Sequence, residues 1–126
     1  MMRYLLDTHV FVWLVEDPGK LPARLLAELA SLDTKVFVSA ASFWEIAMNR
    51  NRGRMKFNGS VAEAIRMANF TELPVTGAHY EASVQLPDIH KDPFDRLLLA
   101  QAQAERLVLV THDAAMKAYN VPMLRV

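Results

Sequence analysis

Arg3-Tyr4-Leu5-Leu6-Asp7-Thr8-His9 is a short apolar run that stops abruptly on a carboxylate. Tyr4, Leu5 and Leu6 make an unbroken hydrophobic stretch, the pattern of a parallel strand covered on both faces rather than one with a wet side. Asp7 then falls at the carboxyl end of that strand. In open α/β sheets this end is where ligands bind, beside the strand at which the winding direction reverses. The question the chain poses is whether other acids reach the same edge.

Size and charge set the bounds. A chain of 126 residues fits one domain, residues 1–126, and at that length roughly two-thirds of the unfolded surface is buried. The 14 basic and 14 acidic residues cancel, so attraction to nucleic acid or membrane has to come from a local patch. Cysteine is absent, which excludes disulfides and thiolate chemistry and suits a reducing cytoplasm. The apolar stretch over residues 4–15 is broken by Asp7 and His9 and runs into Glu16-Asp17-Pro18-Gly19, too short and too charged for a membrane span or signal peptide.

Strand-like and helix-like segments alternate without repeats or low-complexity sequence. Val10-Phe11-Val12-Trp13-Leu14 reads as a short helix that stops before Pro18-Gly19. Leu21, Leu25, Leu29 and Leu32 recur at helical spacing, with Arg24 and Glu28 outside. Val36-Phe37-Val38 is a second buried strand, followed by a helix over residues 39–50 and another from Ser60 with Val61, Ala64, Ile65 and Ala68 inward. Leu73-Pro74-Val75 is a weak strand fit only for an edge, since Pro74 cannot donate to a ladder. Thr76 caps a helix to about Gln85, a loop comes next, and Asp92-Pro93 opens a helix over residues 94–106. Leu107-Val108-Leu109-Val110 is the clearest strand. A short helix after Thr111-His112-Asp113 and a last strand at Met123-Leu124-Arg125-Val126 complete a three-layer α/β/α sandwich, with a mostly parallel sheet of about four to five strands.

On this scheme Asp7 ends the first strand, Glu45 lies in the helix after the second, Asp95 lies in the first turn of its helix, and Asp113 comes just after the 107–110 strand. Right-handed crossovers carry all these ends to one edge of the sheet. Each acid also has a structural explanation. Ser42-Phe43-Trp44-Glu45 reads as a capping box, Asp92-Pro93-Phe94-Asp95 as a similar helix start, and Asp7 or Asp113 could cap the next helix. Ser60-Val61-Ala62-Glu63 has the same box after a loop, and there Glu63 is assigned only that role.

Coincidence of position favours a site. Carboxylates within ~4–6 Å repel and raise one another's pKa unless a cation intervenes, and helix N-termini offset this by only about 0.3–1 kcal/mol each. Oxygen ligands select a hard dication, Mg²⁺ or Mn²⁺. Such a centre suits hydrolysis of a phosphodiester by in-line attack of water. An aspartyl-phosphate enzyme would want a second aspartate where His9 stands, and a receiver module would want an acceptor aspartate where Val75-Thr76-Gly77 stands. A binding module whose acids are only caps is the remaining alternative, and a metal titration separates it.

The segments Leu6-Asp7-Thr8-His9, Val38-Ser39-Ala40-Ala41-Ser42-Phe43-Trp44-Glu45-Ile46-Ala47, His90-Lys91-Asp92-Pro93-Phe94-Asp95-Arg96-Leu97-Leu98 and Val110-Thr111-His112-Asp113 together resemble the PIN-domain family, in particular VapC-type toxins of type II toxin–antitoxin systems. The resemblance spans the chain in order. It implies a Mg²⁺- or Mn²⁺-dependent endoribonuclease, cytoplasmic, usually dimeric, held by a VapB-type antitoxin and touching DNA only through that partner. Carried over by position, Asp7, Glu45 and Asp95 are the core metal-binding and catalytic acids and Asp113 is the fourth. Asp95 is preferred to Asp92 because it directly precedes the Arg96-Leu97-Leu98 helix. Many relatives have a lysine where this chain has Met48-Asn49, and arginine where His112 stands.

Arg50, Arg52, Arg54 and Lys56 form the densest basic run. They sit against a helix C-terminus, or they guide an RNA backbone toward the acids; Arg50 and Arg52 are the residues assigned to substrate. Thr111, also assigned to substrate, and Thr8 either orient the acids and their water or cap helices. His79 and His90 read as structural, His9 and His112 as polar loop residues beside the acids. Trp13, Phe43 and Trp44 read as core or dimer-interface aromatics.

Overall fold

In the computed structural model, which describes residues 1–126, the sheet is five-stranded, ordered β3-β2-β1-β4-β5, and every neighbouring pair is parallel. The strands are β1 (Met2–Leu6), β2 (Thr34–Ser39), β3 (Thr71–Leu73), β4 (Val108–Thr111) and β5 (Met123–Arg125). The first strand of the chain is thus the middle strand of the sheet. From it the chain winds outward through β2 to β3, then returns to the other flank for β4 and β5. The winding reverses between β1 and β4, whose carboxyl ends carry Asp7 and Asp113.

Both faces are covered, as the unbroken apolar run of β1 demands. Tyr4 and Leu6 point into one core with Val10 and Phe11 of α1 (Thr8–Glu16), Leu25 and Leu29 of α2 (Ala23–Ala30), Ile46 of α3 (Ala40–Asn51) and Val61 and Ile65 of α4 (Val61–Met67). Leu5, between them, points into the other with Leu98, Leu99 and Ala102 of α6 (Pro93–Glu105), Leu109 and Met116. Helix α5 (Gly77–Gln85) packs along α6. Short 3-10 turns at Pro18–Lys20 and Ala114–Ala118 complete the chain.

Several boundaries differ from the sequence reading, each for a local reason. The α2 stripe is shorter: Leu21 is buried ahead of the helix, while Leu32 lies beyond its end and is 94% exposed. Edge strand β3 ends at Leu73, because Pro74 has no amide to continue the ladder. Helix α3 begins one turn before the box read at Ser42. Its N-cap is Ser39, whose Oγ accepts from the Ala41 amide at 3.0 Å, so Ser42 is already inside the helix.

Candidate active site

The shift in α3 removes the structural explanation for one acid. Ser42 caps nothing; its hydroxyl pairs with Thr8 Oγ1 at 2.8 Å and ties α3 to α1. Glu45 is therefore mid-helix, 7% exposed, and its Oε1 is buried with no hydrogen-bond partner. A buried carboxylate oxygen without a donor is costly and calls for a counter-charge.

Asp7, Asp92 and Asp113 do cap, and capping leaves part of each carboxylate for the cleft. Asp7 Oδ1 accepts from the Val10 amide at 2.8 Å while Oδ2 takes the Thr111 hydroxyl at 2.6 Å and the His112 amide at 3.4 Å. Asp92 Oδ1 accepts from the amides of Phe94 and Asp95 at 2.9 and 3.4 Å. That makes Asp92 the N-cap of α6 and places Asp95 in the first turn, with its carboxylate turned to the cleft instead. Asp113 Oδ1 caps the following turn through the Ala115 amide at 2.9 Å, and its Oδ2 meets His90 Nε2 at 2.8 Å. Glu63 does not close the box read for it: Ser60 caps the helix through the Glu63 amide, while the Glu63 side chain is exposed and paired with Arg66.

Asp7, Asp95 and Asp113 line one cavity of about 480 Å³ with Asp92, His9, His90 and His112. Glu45 lines an adjoining depression that shares His9 and Asp92 as its rim and continues to Arg52 and Arg54. Burial and neighbouring charge shift the four carboxyl groups in different directions. Burial holds Asp7 above the ordinary carboxylate range, against the bonds from Thr111 and the Val10 amide. Burial raises Glu45 too, with the charges of Asp92 and Asp7 adding. Asp95 is pushed up to about 7, by burial first and then by Asp92, with Glu45 and Asp7 contributing. Asp113 goes the other way, held low by the hydrogen bond to His90.

Three of the assigned substrate contacts find different places. Thr111 is fully buried; its hydroxyl donates to Asp7 and accepts the Asp113 amide at 3.0 Å, so it fixes the two acids and faces no solvent. Arg50 donates one terminal nitrogen to the carbonyls of Phe57 and Gly59 at 3.1 and 2.8 Å, bracing the loop after α3. Arg52 opens onto the depression beside Glu45. His79 is structural as read: its Nδ1 accepts the Thr76 amide at 3.0 Å, and Nε2 meets Glu105 at 2.9 Å.

Two residues escaped the sequence reading. His90, read as structural, is wedged among the acids, with ligand-capable atoms of His90, Asp95 and Asp113 all within 4.8 Å of one another. Arg96 donates to the carbonyls of Ser83, Leu86, Pro87 and His90 at 2.9–3.1 Å and so folds the 86–91 loop over the start of α6. The only sequence signal for either was proximity to Asp95.

The donor set fits a hard dication. It is dominated by carboxylate oxygens, one of them buried and unpartnered, and burial with neighbouring carboxylates pushes Asp95 up to about 7. Asp7, Glu45, Asp95 and Asp113 are the residues that would hold it.

A parallel α/β sheet with an acid-lined crevice at its switch point thus defines the class of protein. The model of the PIN domain family matches residues 4–122, and the chain belongs to that family. No curated protein matches it in sequence. Solved structures of similar fold include VapBC2 from Rickettsia felis bound to a promoter DNA fragment, at 16% identity, 98% of both chains covered and TM-score 0.74. VapBC-1 from nontypeable Haemophilus influenzae is similar at 15% identity, 98% of both chains and TM-score 0.66. FitAcB from Neisseria gonorrhoeae is similar at 20% identity, 97% of this chain, 96% of that one and TM-score 0.66.

Proposed function

We propose that this protein is a Mg²⁺- or Mn²⁺-dependent endoribonuclease and the toxin of a VapBC-like pair. The observation that carries the reading is Glu45 Oε1, buried without a partner on a carboxyl group that burial and the charges of Asp92 and Asp7 hold above its ordinary range. Acids that served only as caps would not include one that caps nothing.

When bound, the dication supplies the Lewis acidity and counter-charge for in-line attack of water on an RNA phosphodiester. Asp7 and Asp95 are its principal holders, with Glu45 and Asp113 completing the set. Thr111 keeps Asp7 oriented by a short hydroxyl bond, and the His112 amide supports the same oxygen. Arg52 and Arg54, on the depression beside Glu45, draw in the RNA backbone by local charge, which the balanced total does not provide. No side chain acts as a covalent nucleophile.

The proposed partners rest on the fold's relatives. Similar structures include a toxin–antitoxin complex and three structures bound to DNA, which supports a VapB-type antitoxin here and DNA contact only through it. No helix is long and apolar enough to cross a membrane, which is compatible with the cytoplasmic setting proposed. A homodimer is proposed across the face where Trp44, 65% exposed, meets Phe94 edge-on near Met48, Val75 and Tyr80, because monomers rarely leave such apolar surface uncovered.

Purified Asp7→Asn and Asp95→Asn proteins test the reading. Both are expected to keep the native circular dichroism spectrum, bind Mn²⁺ at least about tenfold more weakly by calorimetry, and lose RNA cleavage. Cleavage retained in both rejects the assignment. Wild-type protein that binds no Mn²⁺ leaves the capping module as the better description.

A further inference from the structure

His90 lies on the loop between α5 and α6, and its ring sits between two of the acids. Nε2 is 2.8 Å from Asp113 Oδ2 and 3.0 Å from Asp95 Oδ2. That spacing fits two arrangements: three ligands gathered round one cation, or a single N–H shared by two carboxylates.

The other ring nitrogen decides between them. The backbone amide of Asp92 donates to Nδ1 at 3.2 Å, so Nδ1 presents a lone pair and, by the hydrogen-bond partners, the ring proton is on Nε2. A metal-ligating histidine is arranged the opposite way, bare on the coordinating nitrogen and donating its second N–H outward to an acceptor. Here the outward nitrogen faces a donor. Coordination through Nε2 would leave the ring with Nδ1–H pointed at the Asp92 N–H, or with no proton at all.

The ring has little freedom to turn away from this arrangement. The His90 amide donates to the Tyr119 hydroxyl at 2.7 Å, and its carbonyl accepts from Arg96 at 3.1 Å. Tyr119 Oη in turn donates to Pro87 O at 2.9 Å. The loop that carries the ring is therefore held at both backbone groups and at Nδ1.

We infer that His90 is a positioning residue and not a metal ligand: its neutral Nε2–H bridges Asp95 Oδ2 and Asp113 Oδ2 and so fixes the two carboxylates relative to each other. The Asp92 side chain caps α6 while its backbone amide selects the His90 tautomer, so one residue sets both the helix start and the clamp. The inference rests on the acids being the cation site, but the clamp itself can be read without a cation.

In metal-free wild-type protein, long-range proton–nitrogen correlation of the imidazoles is expected to show His90 protonated on Nε2 and bare on Nδ1. His90→Gln restores an N–H near the Nε2 position and is expected to hold Mn²⁺ affinity, by calorimetry, within about threefold of wild type. His90→Phe keeps the ring volume without the donor and is expected to weaken Mn²⁺ about 10–100-fold. An Nδ1-protonated ring overturns the inference, as does equal loss in the Gln and Phe variants. So does nitrogen coupling from His90 in the spin-echo spectrum of the Mn²⁺-loaded protein. Wild-type protein that binds no Mn²⁺ defeats the cation site instead, and the tautomer still judges the clamp.

Discussion

Asp95 shows how far single side chains are set by their neighbours. With Asp7 and Glu45 it has a folded-state pKa raised above the unfolded value, to about 7 in its own case. The folded protein therefore holds these protons more tightly than the unfolded chain. The stability that Asp95 contributes in this way is complete below the ordinary carboxylate range, near pH 4, and is lost as the pH rises through about 7. Asp113, lowered by His90 and partly exposed, acts in the opposite sense and weakly. Thermal melts in chelator should show Asp95→Asn gaining on wild type between about pH 4 and about pH 7, because the variant has no proton to lose there. A difference independent of pH would contradict the burial of this carboxylate among like charges. At this scale Asp7, Glu45, Asp95 and Asp113 were legible as acids placed just after strands or at helix starts. His90 was not. Its value comes from bonds to Asp113 and to the Asp92 amide that exist only once the loop has folded, and periodicity carries no trace of them.

Secondary-structure elements were legible where a single local force dominates. The buried strands announced themselves by unbroken apolar runs, and α6 by Asp92-Pro93 at its start. What failed was the choice between competing caps: Ser39 and Ser42 are equally good N-caps in isolation, and the strand register that brings Ser39 Oγ to 2.6 Å from buried Gln101 decides for Ser39. The 86–91 loop was read only as a loop because its order comes from Arg96, whose fork of donors gathers the carbonyls of Ser83, Leu86, Pro87 and His90. Arg96→Lys keeps the charge and loses that geometry. It is expected to cost about 1–3 kcal/mol in urea unfolding and to raise amide hydrogen exchange at residues 86–91 ahead of the sheet. Unchanged exchange there would show that the loop is ordered without the arginine.

At the scale of the molecule, cation binding and self-association have separate readouts. A dication that binds only the folded state at a hundred times its Kd adds about 2.7 kcal/mol to stability. Mg²⁺ is therefore expected to raise the melting temperature of wild type and to leave that of Asp7→Asn almost unmoved. An equal rise in both would place the binding elsewhere. Trp44→Glu puts a charge in the middle of the exposed apolar face and is expected to shift a dimer to monomer in light scattering, with Mn²⁺ affinity within about threefold of wild type, since Trp44 does not line the cavity of Asp7, Asp95 and Asp113. A dimer that survives the substitution would move the interface to another surface.

The order of the strands has a consequence for how this protein comes into being. Its middle strand leaves the ribosome ahead of the other four, and one flank of that strand stays open until residues 108–110 are available to pair with Tyr4, Leu5 and Leu6. Asp7 acquires the hydroxyl that aims it only when Thr111 has emerged, more than a hundred positions later. A nascent fragment that stops short of that threonine carries Asp7, Glu45 and Asp95 without the hydroxyl that aims Asp7, so assembly of the acidic crevice waits on the fourth strand.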